Sequence, residues 1–155
     1  MVSIPRALET AAGLLGASAI VVSGTDQGEG CDALVRVALA EGGVEVPPGD
    51  ASALHAAAKA RGAVRRGKAR PGDLVFLADR PGGSVEHVGL VERVRPDGVV
   101  VFLHRTARGV ARLRLDASNP WKARSESGKT LNDVLIVGAG RVTTGRLLVG
   151  YATPR

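Results

Sequence analysis

Apolar and polar positions follow two different periods along this chain, one before residue 70 and one after it. In the first part, apolar residues recur at every third or fourth position, which is typical of helices with one buried face. In the second part, short runs of Val, Leu and Phe lie between turn residues, which is typical of strands. Helices followed by an antiparallel sheet predict an α+β fold, with the N-terminal helices packed on the sheet.

The helical period predicts three helices. The first covers about residues 5–15 and is ended by Gly16, and a short extended piece follows at 19–22. The second begins at Cys31 and stops at Gly42 and Gly43. A third covers 53–60, with Asp50 or Ser52 as its N-cap. His55 lies on the polar face of this helix, so we expect it to be a surface residue.

The strand period predicts a series of strands joined by Pro- and Gly-rich turns. Residues 74–77 are continuously apolar, which indicates a strand buried on both faces. A turn at residues 96–98 should join the two longest strands into a hairpin. Residues 118–129 are expected to be loop, and 131–137 is ambiguous between helix and strand. The expected strands are 74–77, 85–94, 99–104, 110–115 and 147–151.

Size and charge limit the possible functions. A chain of 155 residues fits one domain, 1–155, and a net charge of +6 favours an anionic partner or surface. Aromatic residues are only 3% of the chain, and no nucleic-acid module is recognisable, so we expect no nucleic-acid partner. The basic cluster within 61–70 is interpreted as a solvated loop. No apolar run approaches the roughly 18 residues of a membrane span.

The single cysteine, Cys31, excludes an internal disulfide and is the first candidate for chemistry. It lies on the first turn of its helix, after the polar, glycine-rich segment 23–30. The helix dipole there favours a thiolate, and the backbone N–H groups of Cys31 and Asp32 could hold an oxyanion. The alternative is a buried cysteine that serves as a small hydrophobe.

Two histidines could complete a catalytic group with Cys31. The predicted hairpin places His87 and His104 on neighbouring strands. Cysteine catalysis needs a base beside the thiol and a third polar group that orients the base, and these residues match the roles in type. Two alternatives stay open: core histidines without function, or a zinc site with water in the fourth position.

Three segments, in this order, carry a family resemblance. Arg70-Pro-Gly-Asp-Leu-Val-Phe76, then His87-Val-Gly-Leu-Val91, then the strand ending in His104 resemble segments of the NlpC/P60 cysteine peptidases and the related CHAP amidases. The resemblance covers about residues 5–115. It implies a papain-like fold and hydrolysis of amide bonds in peptidoglycan stem peptides, with no metal and no cofactor. It also implies Cys31 as nucleophile, His87 as base and His104 as the residue that orients His87.

Two departures from the family pattern favour other functions. A carboxylate at Asp32, beside the thiol, would oppose the thiolate unless it points away. Many members have a tyrosine before the cysteine, whereas no Phe, Tyr or Trp precedes Phe76 here. The sequence therefore leans towards an enzyme but keeps two alternatives: a catalytically degenerate binding or assembly module, and a thiol deamidase or acyltransferase acting on proteins.

The compartment and the oligomeric state are left open. Residues 11–22 are interpreted as a helix and a short strand rather than the core of a signal peptide, because Glu9 precedes them and Gly13 and Gly16 interrupt the apolar run. A leader removed before this segment would place the protein in the cell envelope or outside the cell. Otherwise we expect it in the cytoplasm.

Overall fold

The computed structural model describes residues 2–28, 30–137 and 140–154. Its three long helices are α1 (Ile4–Gly13), α2 (Asp32–Glu41) and α3 (Ala51–Ala60). They lie where the helical period predicts them. Between α1 and α2, strands β1 (Val21–Val22) and β2 (Thr25–Asp26) form a small hairpin. The polar, glycine-rich segment 23–30 thus contains β2, and residue 29 of that segment lies outside the described residues.

The helix ends follow from short local signals. Ser3 accepts a hydrogen bond from the Arg6 amide at 3.3 Å, and Asp50 accepts one from the Ala53 amide at 3.0 Å. Asp50 is thus the N-cap of α3. At the end of α2, a Cβ on Gly42 would lie 2.5 Å from the Ser3 carbonyl oxygen. Glycine is required there because α1 and α2 approach closely.

The second half of the chain is mostly strand. Its elements, in chain order, are β3 (Leu74–Ala78), β4 (Val85–Val94), β5 (Val100–Thr106), β6 (Gly109–Leu115), β7 (Val134–Val137), β8 (Gly140–Thr143), α4 (Thr144–Leu147) and β9 (Leu148–Ala152). A five-stranded antiparallel sheet has the order β6-β5-β4-β3-β9. The ambiguous segment 131–137 contains β7, which pairs with β8. Neither β8 nor α4 was expected from the sequence.

Both faces of the main sheet are covered, and strand β3 contributes to both cores. Leu74 and Phe76 pack in the core formed with the three helices. Val75 and Leu77 pack in a second core, formed with β9 and α4. Strand β3 is therefore buried on both faces, as its continuous apolar run predicted. The α+β class expected from the order of the elements is confirmed, as is the papain-like arrangement that the resemblance implied.

The prediction that His55 is a surface residue was wrong, and the prediction of a solvated basic loop within 61–70 fails only at Arg65. His55 is half-buried, and its ring lies edge-on to Phe76 with the centroids 5.1 Å apart. Arg65, in the basic cluster, pairs with Asp73, whose carboxylate is buried and also accepts from the Arg70 amide at 2.8 Å. A buried carboxylate needs such partners, so Arg65 is structural. Arg66 is solvent-exposed, as expected.

Within the described ranges, every helix falls short of the length and apolar character that a membrane crossing requires.

Candidate active site

The sulfur of Cys31 lies at the start of α2, against the main sheet. Cys31 is the N-cap residue and has helical dihedral angles, φ −64° and ψ −23°. Leu34, Val35 and Ala38, on the same side of the helix, are fully buried and fix α2 on the sheet. The cysteine itself is only half-buried, so its sulfur is at the edge of the core rather than inside it.

Strand β4 holds the sulfur through the two residues that flank His87. The Val88 amide donates to Sγ at 3.4 Å, and the thiol donates to the Glu86 carbonyl oxygen at 3.9 Å. The backbone on either side of His87 thus contacts the sulfur. This pairing places the imidazole of His87 next to the thiol.

His104, on strand β5, completes the cluster. Its ring is edge-on to that of His87, with the centroids 5.3 Å apart and an interplanar angle of 86°. Sγ of Cys31 and one ring nitrogen from each histidine all lie within 4.8 Å of one another. The structure therefore brings together all three side chains that the sequence singled out, and we call them the Cys-His-His cluster.

A glycine makes this close approach possible. A Cβ on Gly89 would lie 2.7 Å from the Leu103 carbonyl oxygen and 3.0 Å from the Phe102 ring. Such distances are too short for any side chain. Gly89 therefore allows β5 to pack tightly against β4, which keeps His104 close to His87.

Burial controls the protonation of the cluster. It raises the pKa of the Cys31 thiol; the Asp32 charge adds to this, while the N–H groups of Val88, Cys31 and Asp32 oppose it. Burial also lowers the pKa of His87, and it lowers that of His104 to about 4 with help from the neighbouring His87. The expected preference for a thiolate was wrong for this resting structure, because desolvation outweighs the effect of the helix end.

The Asp32 carboxylate is neither directed into solvent nor isolated from other charges. It forms an ion pair with Arg36 at 2.8 Å, one helical turn further on. A Cβ on Gly30 would collide with the Asp32 carboxylate, so glycine leaves room for this arrangement. The i,i+4 spacing of Asp32 and Arg36 was the available sequence signal for the pair.

Two clefts meet at His87. The first, of about 350 Å³, is lined by Cys31, His87 and three carboxylate side chains: Asp32, Asp50 and Glu86. The second, of about 470 Å³, is lined by both histidines, by Arg105 and Arg108, and by the apolar strand β7. The two clefts share His87 and residues 105–107. The site therefore has an acidic side and a basic, apolar side.

Arg105 is a site residue that the sequence analysis did not single out. Its guanidinium donates to the Gly28 carbonyl oxygen and to the Ser18 carbonyl oxygen, the latter at 2.9 Å. It thereby ties β5, directly after His104, to the segment that leads to Cys31. Its position beside His104 in the sequence was the available signal.

The ring nitrogens of His104 have no hydrogen-bond partner in the described part of the chain, although the residue is only 4% exposed. Buried polar groups are normally paired. Within the same described ranges, the side chains of the Cys-His-His cluster are also of the right types, and close enough together, to hold a metal ion.

A half-exposed cysteine at a helix start, packed on an antiparallel sheet that carries histidines, matches the arrangement that the resemblance implied. The family model for the CHAP domain matches residues 21–105, more than half of the chain. The chain belongs to the CHAP domain family, as the resemblance predicted. This family is one of peptidoglycan-hydrolase-like cysteine peptidases. The matched residues include the whole Cys-His-His cluster.

Comparison with one solved structure gives the same fold. The crystal structure of Ly7917 superposes with a TM-score of 0.57 at 19% identity, covering 98% of this chain and 62% of that one. This chain thus spans less than two thirds of Ly7917. An NlpC/P60 family protein from Bacillus cereus ATCC 10987 matches with a TM-score of 0.47 and 24% identity, covering 71% of this chain and 34% of that one. No curated protein gives a match.

Proposed function

We propose that this protein is a cysteine hydrolase that cleaves amide bonds in peptidoglycan stem peptides, with residues 1–155 forming a single catalytic domain. One observation carries the proposal. The thiol of Cys31 and the imidazoles of His87 and His104 have their reactive atoms within 4.8 Å of one another, and Cys31 and His87 line an open cleft. Nucleophile, base and third polar group are thus together where a substrate has access.

The resting protonation state sets the first step of the proposed mechanism. With the thiol pKa raised and the pKa values of both histidines lowered, the cluster rests as a neutral thiol beside neutral imidazoles. His87 takes the proton from Cys31 as the sulfur attacks the amide carbonyl. The C–N bond then breaks, and His87 gives that proton to the leaving amine. Water next attacks the thioester, with His87 as base, and releases the acid and the free thiol.

The remaining groups stabilise this sequence. The backbone N–H groups of Cys31 and Asp32, which already favour negative charge at the sulfur, would donate to the oxyanion. His104 would orient the ring of His87 through one of its unpaired nitrogens. Arg105 is a positioning residue, because it fixes the segment that leads to Cys31.

The charges around His87 support a peptide that carries both signs. Asp32, Asp50 and Glu86 line the Cys31 cleft and favour a cationic group, such as the free amine of a diamino acid. Arg105 and Arg108 line the neighbouring cleft and favour a carboxylate. A stem peptide offers both groups. The net charge of +6 adds a general attraction to an anionic wall.

The test is release of products from purified muropeptides, followed by chromatography and mass spectrometry. Cys31→Ala should abolish release, and His87→Gln should reduce it about 10²–10⁴-fold, the usual size of a general acid–base contribution. His55→Gln is the matched control, since His55 is a half-buried histidine outside the cluster, and it should keep the wild-type rate. Equal product release by wild type and Cys31→Ala would refute the proposal.

The raised thiol pKa favours a second candidate, a degenerate module that binds wall peptides without cleaving them. Such a module would retain muropeptide binding in Cys31→Ala and show no turnover in the wild type. Covalent trapping separates the two functions. A peptide chloromethyl ketone should alkylate Cys31 far faster than iodoacetamide does if the site is catalytic, and at a similar rate if it is not.

A further inference from the structure

We propose that Cys31, His87 and His104 form a binding site for Zn²⁺, and that the bound ion blocks the thiol. Binding of the ion is independent of the proposed function. Only its consequence, reversible inhibition of a hydrolase, rests on that function. The inference comes from the geometry of the Cys-His-His cluster and from the unpaired nitrogens of His104.

The three ligand atoms are close to the spacing that zinc needs. In a tetrahedral site with Zn–S near 2.3 Å and Zn–N near 2.0–2.1 Å, neighbouring ligand atoms lie about 3.4–3.6 Å apart. In this structure they lie within 4.8 Å of one another. A contraction of about 1 Å closes the site. Rotation of the half-buried His87 ring can bring its nitrogen closer to the other two ligand atoms and so supply much of this contraction.

His104 gives the independent sign of a ligand. Its ring is only 4% exposed, yet neither nitrogen has a hydrogen-bond partner in the described part of the chain. Orienting His87 would use one nitrogen and leave the other unpaired. A metal ion bound at either nitrogen would satisfy a buried lone pair that costs free energy when left open.

The donor set selects the kind of ion. One sulfur and two imidazole nitrogens suit Zn²⁺, whereas Mg²⁺ and Ca²⁺ require oxygen ligands. On binding, the Cys31 thiol loses its proton to solvent, and the sulfur forms the bond to zinc. Three protein ligands leave the fourth position to water from the cleft. Of the carboxylates that line the same cleft, Glu86 favours a dication, whereas Asp32 is already paired with Arg36. Arg105, on that cleft as well, opposes a cation.

Occupation by zinc and thiol catalysis exclude each other. The ion would take the lone pairs of the sulfur and of His87, which are the nucleophile and the base of the proposed reaction. The cluster would then exist in two states, free or zinc-blocked. The concentration of free zinc would decide between them.

The experiment measures the metal directly. Purified chain is titrated with Zn²⁺ in competition with a chromophoric chelator, and separately with Co²⁺, whose thiolate charge-transfer and tetrahedral d–d bands report the ligands. Wild type should bind one ion with both bands present. His104→Asn should weaken binding by more than the about 10–100-fold that loss of a hydrogen bond to a metal ligand costs, and Cys31→Ala should lose the charge-transfer band. His55→Asn should bind as wild type does.

Protection of the thiol gives a second readout that does not depend on turnover. One equivalent of Zn²⁺ should block labelling of Cys31 by iodoacetamide in wild type and in His55→Asn, and a chelator should restore the labelling. Far less protection is expected in His104→Asn, whose fold is checked by circular dichroism. Equal zinc affinity in wild type and His104→Asn, or no charge-transfer band with Co²⁺, would overturn the site. An inactive protein that still shows zinc binding would refute the hydrolase and not the site.

Discussion

Two of the clusters of buried polar side chains in the described part of the chain differ in how their hydrogen bonds are satisfied. In one, Asn132 holds the loop between β6 and β7 in place: it accepts from the Asp116 amide at 2.7 Å and donates to the carbonyl oxygens of Asn119 and Lys122, both at 2.9 Å. In the Cys-His-His cluster, His104 is equally buried and its nitrogens have no partner in the described ranges.

The difference separates a stabilising site from the site of the proposed chemistry. A fully paired network contributes to a unique fold, since removing one member leaves the others unsatisfied. Unpaired buried nitrogens do not contribute in this way, and they remain available to a substrate or a metal ion. Under the proposed function, the pairing of buried polar atoms thus distinguishes the cluster that stabilises the fold from the cluster that performs chemistry.

The largest expected effect on stability comes from the paired cluster. Asn132→Ala removes partners from the Asp116 amide and from the two carbonyl groups, and it should cost about 4 kcal/mol in the free energy of unfolding. Urea denaturation at neutral pH measures this cost. Asn119→Ala is the matched control, because exposed Asn119 makes one side-chain hydrogen bond, to Asp116. His104→Gln breaks no hydrogen bond among the described residues, so it should cost clearly less than Asn132→Ala. If His104→Gln lowered the free energy of unfolding as much as Asn132→Ala does, the proposed difference between the two clusters would be contradicted.

The next effect is the pH dependence of stability. Burial lowers the pKa of His104 from 6.5 to about 4, so below pH 6.5 the unfolded chain takes up a proton that the folded chain refuses. Stability should fall as the pH drops from about 6.5 to about 4, by roughly 3 kcal/mol from this residue. His104→Gln should lose that part of the slope in urea denaturation at several pH values. His55→Gln should keep most of it, and identical slopes for wild type and His104→Gln would contradict the prediction.

The smallest effect concerns the thiol. Burial and the Asp32 charge raise the pKa of Cys31 above its ordinary 9.0, so its rate of alkylation by iodoacetamide should still be rising at that pH. Asp32→Asn removes one of the two causes and should move the profile to lower pH. Glu41→Gln, at the other end of the same helix, is the control. A plateau reached below pH 7 would show a thiolate and contradict the neutral resting state.

Local signals were enough to predict much of this structure. The spacing of apolar residues gave α2 with Cys31 at its start, and the turn at 96–98 gave the hairpin of β4 and β5. Since that hairpin brings His87 and His104 onto paired strands, the composition of the cluster followed from sequence. The antiparallel sheet after the helices was predicted from the order of the elements.

Other features depend on contacts that the sequence does not display. Strand β8 and helix α4 are only four residues each, too short for a period to be recognised. The raised pKa of Cys31 comes mainly from desolvation by distant parts of the chain, which outweighs the local helix dipole. The ties made by Arg105 to Gly28 and Ser18 join segments far apart in sequence. Each of these required the folded chain.

Strand β3 lies between β4 and β9 in the main sheet, and β9 is synthesised much later than β3. Until Leu148–Ala152 leaves the ribosome, the five apolar residues of β3 present an open row of amides and carbonyl groups. A nascent chain in that state can recruit a strand from another molecule as readily as its own. Premature stop codons before Leu148 should therefore give insoluble protein, rather than a soluble domain with a smaller sheet.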